Sequence, residues 1–255
     1  MRLLAIDTAT LTASAAVVDV DDDGRVHPVA AGELSTAAGA HGERLVPHLQ
    51  ALLDQAGTTL AAIDAFAVGA GPGSFTGLRI GLATAKGLAF ATGRPLWLAS
   101  SLAALAWDLA QACDDDAALL VPALDARRAE IYVGFYRRDG QAVAAVAPER
   151  VMPPAELPAA LAALGAPGAL AGPAGQVAIA GDALAVHAGA LAALPDHVVR
   201  RPDVRMTPSA VGVAAVAAAG PRTDALAHGA PAYIRPSEAE VKYPDGVPGA
   251  VRRRS

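Results

Sequence analysis

A chain of 255 residues, 53% of them hydrophobic, holds enough apolar side chains for one large domain or two compact lobes. Its net charge of -5, with acidic and basic residues interspersed, argues against a wide basic surface that would grip a nucleic-acid backbone unaided. Cys113 is the only cysteine, so an intramolecular disulfide and an all-cysteine metal cage are both excluded, and a reducing, cytoplasmic setting is expected. The opening "MRLLAIDTAT" reaches Asp7 too soon for a signal-peptide core, and the apolar run Ala210 to Ala219 is too short to span a bilayer.

In chain order, "RLLAID" and "SAAVVDV" read as two short strands, and "DDDG" supplies turn chemistry before a third strand in "RVHPVAAGEL". From Gly42 the period changes: Leu45, Leu49, Leu52, Leu53 and Ala56 share one helical face, and Gly57 is a stop signal. His41 sits at the helix entry, with Pro47 still near the first turn. Next come a strand, a glycine-rich turn and a helix in "AFAVGAGPGSFTGLRIGLATAKGLAFATG", then a strand "PLWLAS" and a helix "SLAALAWDLAQAC" opening at Ser100 or Ser101. The order is βββαβαβα. A second round opens at "ALLVPALDA", with "EIYVGFYRRDGQAVAAVAPERV" as strands turning at Asp139-Gly140 and a helix around Ala155 to Leu164. It closes with "VAIAGDALAVHAGAL" and a late helix, "TPSAVGVAAVAAAG". The expected class is therefore α/β, two lobes of duplicated order: residues 1–100 joined by the late helix 207–220, residues 101–206, and an extended tail 221–255 carrying five prolines.

The glycine turn is the first candidate site. Gly71, Gly73 and Gly77 give a GxGxxxG spacing between strand and helix, yet Pro72 occupies the turn and "PLWLASS" ends without the acidic residue that would hold an NAD ribose. No Gly-Lys-Ser/Thr closes a Walker loop, and "GPGSFTG" is not the nucleophile elbow. What survives is packing: Gly73, Gly77, Gly81 and Ala85 recur every four residues as a smooth stripe, against which either the chain's own backbone or a partner's could lie. Each interior glycine costs a helix roughly 0.5 to 1 kcal/mol relative to alanine, so the stripe needs an offsetting use.

His41 and His48 stand seven residues apart, roughly 10 Å along a helix, too far for a shared metal without outside ligands. "AIDTAT" places Asp7, Thr8 and Thr10 after a buried strand, as a phosphate loop or as ordinary Asx-type and Thr-type turn bonds. Asp125, Arg127, Arg128 and Glu130 gather at a hairpin, where a salt-bridged turn is the plain reading. Gly181-Asp182 is a possible helix start.

"LLAIDTAT", "HGERLVPHLQALL", "AVGAGPGSFTGLRIGLATAKGLA", "LDARRAEIYVGFY" and "PAYIRP", in this order, resemble the TsaB (YeaZ) family, and "GPGSFTGLRIG" is the most specific piece. The resemblance implies the two-lobe ASKHA fold of actin and the sugar kinases. It also implies a non-catalytic subunit of the bacterial machinery that places threonylcarbamoyl on the adenosine next to the anticodon of tRNAs reading codons that begin with A. In that family the subunit pairs with TsaD, a paralogue carrying the metal and the transferase site, and the ATPase TsaE joins them. A homodimer through the same helices is the other pairing, tRNA is reached only through the complex, and ATP or ADP would sit at the interface with TsaD. Carried over, the partner face comprises Leu45, Leu49, Leu52, Gly73, Ser74, Gly77, Leu78, Arg79, Gly81, Leu82 and Ala85, with Asp7, Thr8 and Thr10 as a vestigial phosphate loop. "LDARRAE" lacks the glycine and threonine of a second phosphate loop, and the histidine spacing does not reproduce the TsaD metal pair, so no catalytic or metal residue is assigned. An active small-molecule kinase or ATPase of the same fold and a glycoprotease-like peptidase are the alternatives. The first needs a complete second loop, the other a nucleophile or metal site.

Overall fold

The computed structural model describes residues 1–35, 41–113, 119–164 and 176–235. Three strands, β1 (Arg2–Asp7), β2 (Thr12–Val20) and β3 (Val26–Ser35), open the chain, and α1 (His41–Gln55), β4 (Ala65–Gly69), α2 (Phe75–Thr92), β5 (Leu96–Ala99) and α3 (Ser101–Gln111) complete the first βββαβαβα round. The second round is β6 (Leu119–Asp125), β7 (Ile131–Asp139), β8 (Ala142–Met152), α4 (Leu157–Ala163), β9 (Val177–Ala180), α5 (Ala183–Val186), β10 (Val198–Arg200) and α6 (Ala210–Ala219). The two sheets have equivalent orders, β3-β2-β1-β4-β5 and β8-β7-β6-β9-β10. In each, the opening meander pairs antiparallel and the crossover strands add in parallel. This is the duplicated α/β order that the ASKHA resemblance implies.

β1 and β4 are apolar without alternation because helices cover both faces of the sheet. α1 and α2 cover one face through Leu45, Leu49, Leu52, Leu82 and Ala85. The other face is covered by α6, which follows the second sheet in sequence. Conversely α3, which follows the first sheet, lies on the second through Leu102, Leu105 and Leu109, while α4 and α5 cover the far side. The two exchanged helices cross closely: a Cβ on Gly212 of α6 would lie 2.5 Å from the Ala104 carbonyl of α3. Among the described residues no helix is long and apolar enough to cross a membrane.

The helix caps follow the local chemistry. Ser74, Ser100 and Ser209 accept from the amides of Gly77, Ala103 and Gly212, and Gly93 ends α2 at φ 65°. Pro47 departs from expectation: α1 begins at His41, which places the proline inside the helix rather than at its first turn. Its side is exposed, so the Glu43 carbonyl that it leaves without a helical donor is open to solvent. β10 escapes the sequence pattern because three residues at a sheet edge are too few for alternation to register.

Candidate functional site

The glycine stripe has an occupant within the chain. β1 ends at Asp7, and the loop Thr8–Ala9 lies directly under α2. A Cβ on Gly77 would sit 2.0 Å from the Thr8 carbonyl oxygen, one on Gly81 2.2 Å from Thr8 Oγ1, and one on Gly73 2.4 Å from the Ala9 carbonyl oxygen. The contact is also hydrogen-bonded: Thr8 Oγ1 donates to the Gly77 carbonyl at 2.8 Å, and the Ser74 amide donates to the Ala9 carbonyl at 2.6 Å. The assignment of Gly73, Gly77 and Gly81 to a partner surface is therefore corrected: these glycines let α2 settle on the β1 loop of the same molecule. Leu45, Leu49, Leu52, Leu78, Leu82 and Ala85 are buried as well, in the core between these helices and the sheet, and offer a partner no area. Ser74 and Arg79 alone of that set are exposed. Around them the outward side of α2 presents Phe75, Ala83, Gly87 and Phe90, with Phe90 80% exposed and nothing within 4 Å of a Cβ built on Gly87.

The loop at residues 7–10 is equally committed inward. Asp7 is fully buried, accepting from Ser101 Oγ at 2.7 Å and from the Ala9 amide at 2.8 Å. Thr10 Oγ1 donates to the Thr12 carbonyl at 2.8 Å. Burial raises the Asp7 carboxyl to about 6, against the two hydrogen bonds. Asp108 of α3 is a second, half-buried carboxylate that pattern reading missed. It accepts from the Ser209 amide at 2.9 Å and from the Ser209 hydroxyl, and burial, with the Asp7 charge adding, raises it to about 7. Asp7, Thr8 and Thr10 thus spend polar atoms on bonds within the protein, and of this loop Ala9, Thr10 and Leu11 line open space.

That space is a cleft of about 800 Å³ between the lobes. Its first-lobe wall is the turn from Pro72 through Arg79, and its second-lobe wall runs from Leu124 to Arg128 and on to Asp182 and Val186, while Ala232–Arg235 crosses between them. Arg79 stacks on the Phe75 ring, 3.7 Å from its centroid, and donates from Nε to Tyr233 Oη at 3.1 Å. Across the cleft, Arg127, Arg128 and Ala129 take successive left-handed conformations, φ 61°, 54° and 58°. Asp125 anchors the start of this turn, meeting His187 Nε2 at 2.9 Å and accepting from the Arg127 amide at 3.0 Å, and its own amide donates to Asp182 at 2.7 Å. The expected salt-bridged turn is present, Arg127 to Asp125 at 3.4 Å, but its backbone is far from an ordinary hairpin. Burial raises the Asp182 carboxyl above its usual range.

His48 faces β3, where a Cβ on Gly32 would lie 3.0 Å from its ring, and its Nε2 has no partner. The described residues contain no group of three or more His, Cys, Asp or Glu placed to hold a metal.

Residues 33–243 match the family model described as TsaD, tRNA N6-adenosine threonylcarbamoyltransferase. The Escherichia coli K12 protein named tRNA threonylcarbamoyladenosine biosynthesis protein TsaB is 39% identical over 139 residues, which cover 54% of this chain and 56% of that protein. Its Bacillus subtilis namesake is 33% identical over 150 residues, covering 59% and 61%. The chain therefore spans just over half the length of these curated relatives. A solved Pseudomonas aeruginosa structure, titled an uncharacterized protein with similarity to peptidase YEAZ, superposes with TM-score 0.72 at 31% identity over 92% of this chain and 99% of that one. A second, YeaZ from the same species, gives 0.63 at 31% identity over 85% and 90%. The likeness thus holds over both lobes of an experimental structure as well as along the sequence, and the chain belongs to the TsaB (YeaZ) family.

Proposed function

We propose that the chain serves the formation of threonylcarbamoyladenosine in tRNA as a non-catalytic subunit, docking a TsaD-type transferase through the outward sides of α1 and α2. The observation that carries the docking is the composition of the α2 face: Ala83 and Gly87 are small and exposed, so a partner helix can approach closely, and Phe90 stands out beside them as an apolar anchor. Val46 extends the apolar surface on α1. The non-catalytic reading draws support from Asp7 and Thr8, whose polar atoms are bonded within the protein beneath α2. TsaE would join the pair, tRNA would be met through the assembly, and the setting would be cytoplasmic.

The test is size-exclusion chromatography with light scattering of the chain mixed with TsaD from its own organism, beside Gly87→Arg and Phe90→Asp. The parent should form a 1:1 complex that neither folded variant forms. Variants that pair as the parent does would remove the α2 face from the interface. The cleft favours a second reading, nucleotide binding at or near the partner interface, with ATP turnover as its strongest form. Steady ATP hydrolysis by the isolated chain would support that reading over a scaffold.

A further inference from the structure

After α6 the chain forms no helix or strand through Arg235, yet it is fastened at each step. Asp224 accepts from the Leu96 amide at 3.0 Å, the Ala225 amide donates to the Leu96 carbonyl at 2.7 Å, and the Ala232 amide donates to the Ala70 carbonyl at 2.7 Å, all in the first lobe. The Tyr233 ring then packs on Phe75 at 5.1 Å between centroids, with its hydroxyl accepting from Arg79. Two residues later the chain reaches the second lobe. Arg235 donates from Nη1 to Glu130 Oε2 and from Nη2 to the Ala126 carbonyl, both at 2.7 Å. Ala126 and Glu130 flank the three left-handed residues on either side.

We infer that residues 224–235 form a strap across the interlobe cleft, and that Arg235 is a positioning residue that holds the left-handed turn and so fixes where Arg127 and Arg128 stand in the cleft. L-residues with a Cβ avoid the left-handed region, and three in succession persist only where the surroundings over-determine them. The turn supplies part of that constraint itself, through Ala126 amide to Glu130 carbonyl at 2.9 Å and Glu130 amide to Arg127 carbonyl at 3.0 Å. Arg235 closes the same loop from outside, its planar fork reaching both flanks at once, which an ammonium on a shorter stem cannot reproduce. Tyr233 sets the direction from which that fork arrives.

The experiment is hydrogen exchange read by mass spectrometry on the whole chain, with limited trypsin digestion at Arg127 and Arg128 as an orthogonal readout. In Arg235→Ala, amides of residues 126–131 should exchange about tenfold faster and tryptic cleavage there should accelerate alongside, while β1 and β4 keep the parental rates. Glu130→Gln keeps an acceptor and should give a smaller acceleration in the same segment. Tyr233 is held by Phe75 and Arg79 of the first lobe, yet Tyr233→Ala should accelerate exchange at residues 126–131 as well, which separates a strap from a local ion pair. Parental exchange at residues 126–131 in Arg235→Ala overturns the assignment, and so does uniform acceleration through both lobes. An effect of Arg235→Ala that Tyr233→Ala does not share overturns the strap. If Arg235→Ala fails to fold, Glu130→Gln and Tyr233→Ala decide the matter, and parental exchange in both overturns it.

Discussion

Three glycines of one helix, Gly77, Gly81 and Gly87, have different physical meanings, and substitution with alanine separates them. At Gly77 and Gly81 a methyl group would enter the space of Thr8, and at Gly77 the obstacle is a backbone carbonyl that cannot swing aside. Gly77→Ala should lose about 2 to 3 kcal/mol of stability in urea unfolding despite alanine's better helix propensity. Gly87 meets nothing, so Gly87→Ala should gain about 0.5 to 1 kcal/mol. A Gly77→Ala protein as stable as its parent would contradict the packing of α2 on the β1 loop. The two carboxyls make a second prediction at this scale. Asp7 and Asp108 have folded values near 6 and 7, above the ordinary 3.8, so the native state holds their protons more tightly than the unfolded chain. Their cost to stability is absent below about pH 4, grows as pH rises to about 7 and is complete above it, on the order of 3 kcal/mol for Asp7 and 4 kcal/mol for Asp108. Asp108→Asn should flatten this slope, matching the parent below about pH 4 and exceeding it at pH 8 in unfolding free energy. Equal slopes in the two proteins would place the pH dependence elsewhere.

At the scale of elements, sequence pattern shows that something must come close to α2 but not what. The four-residue recurrence of small residues marks close approach whether the neighbour is Thr8 of the same chain or a helix of another, because both demand the same missing side chains. Leucine spacing on α1 and α2 likewise locates an apolar face and leaves open whether a sheet or a partner covers it. Here the sheet does. The signal for the docking face proposed above is fainter and different in kind: a large apolar residue, Phe90, where helical periodicity calls for a polar one. The duplicated strand and helix order was legible because each round carries turn and cap residues at its joints. Asp108 with Ser209, and Arg235 with Glu130, were not, since 101 and 105 residues separate the partners. Ser209 depends on the first pair for its own geometry, capping α6 while donating to Asp108. Ser209→Ala should therefore cost about 1 to 2 kcal/mol, more than an exposed cap, because it also strips a partner from a half-buried carboxylate. Thermal unfolding of the variant measures it.

At the scale of the molecule, each sheet is completed by a helix that the other half of the chain contributes. α3 leaves the first sheet to cover the second, and α6 leaves the second to cover the first. Either half alone would expose the apolar face that the borrowed helix covers, so calorimetry should record one transition with calorimetric and van 't Hoff enthalpies in agreement. Two resolved transitions would show that the halves melt independently. The exchange also bears on ancestry. If the two rounds descend from one duplicated unit, that unit could have closed its sheet only against a second copy of itself, each lending its last helix to the other. Fusion would then have turned a symmetric pair into one chain, freeing the two copies of the same loop to diverge, one to be packed beneath α2 and the other to carry the left-handed turn.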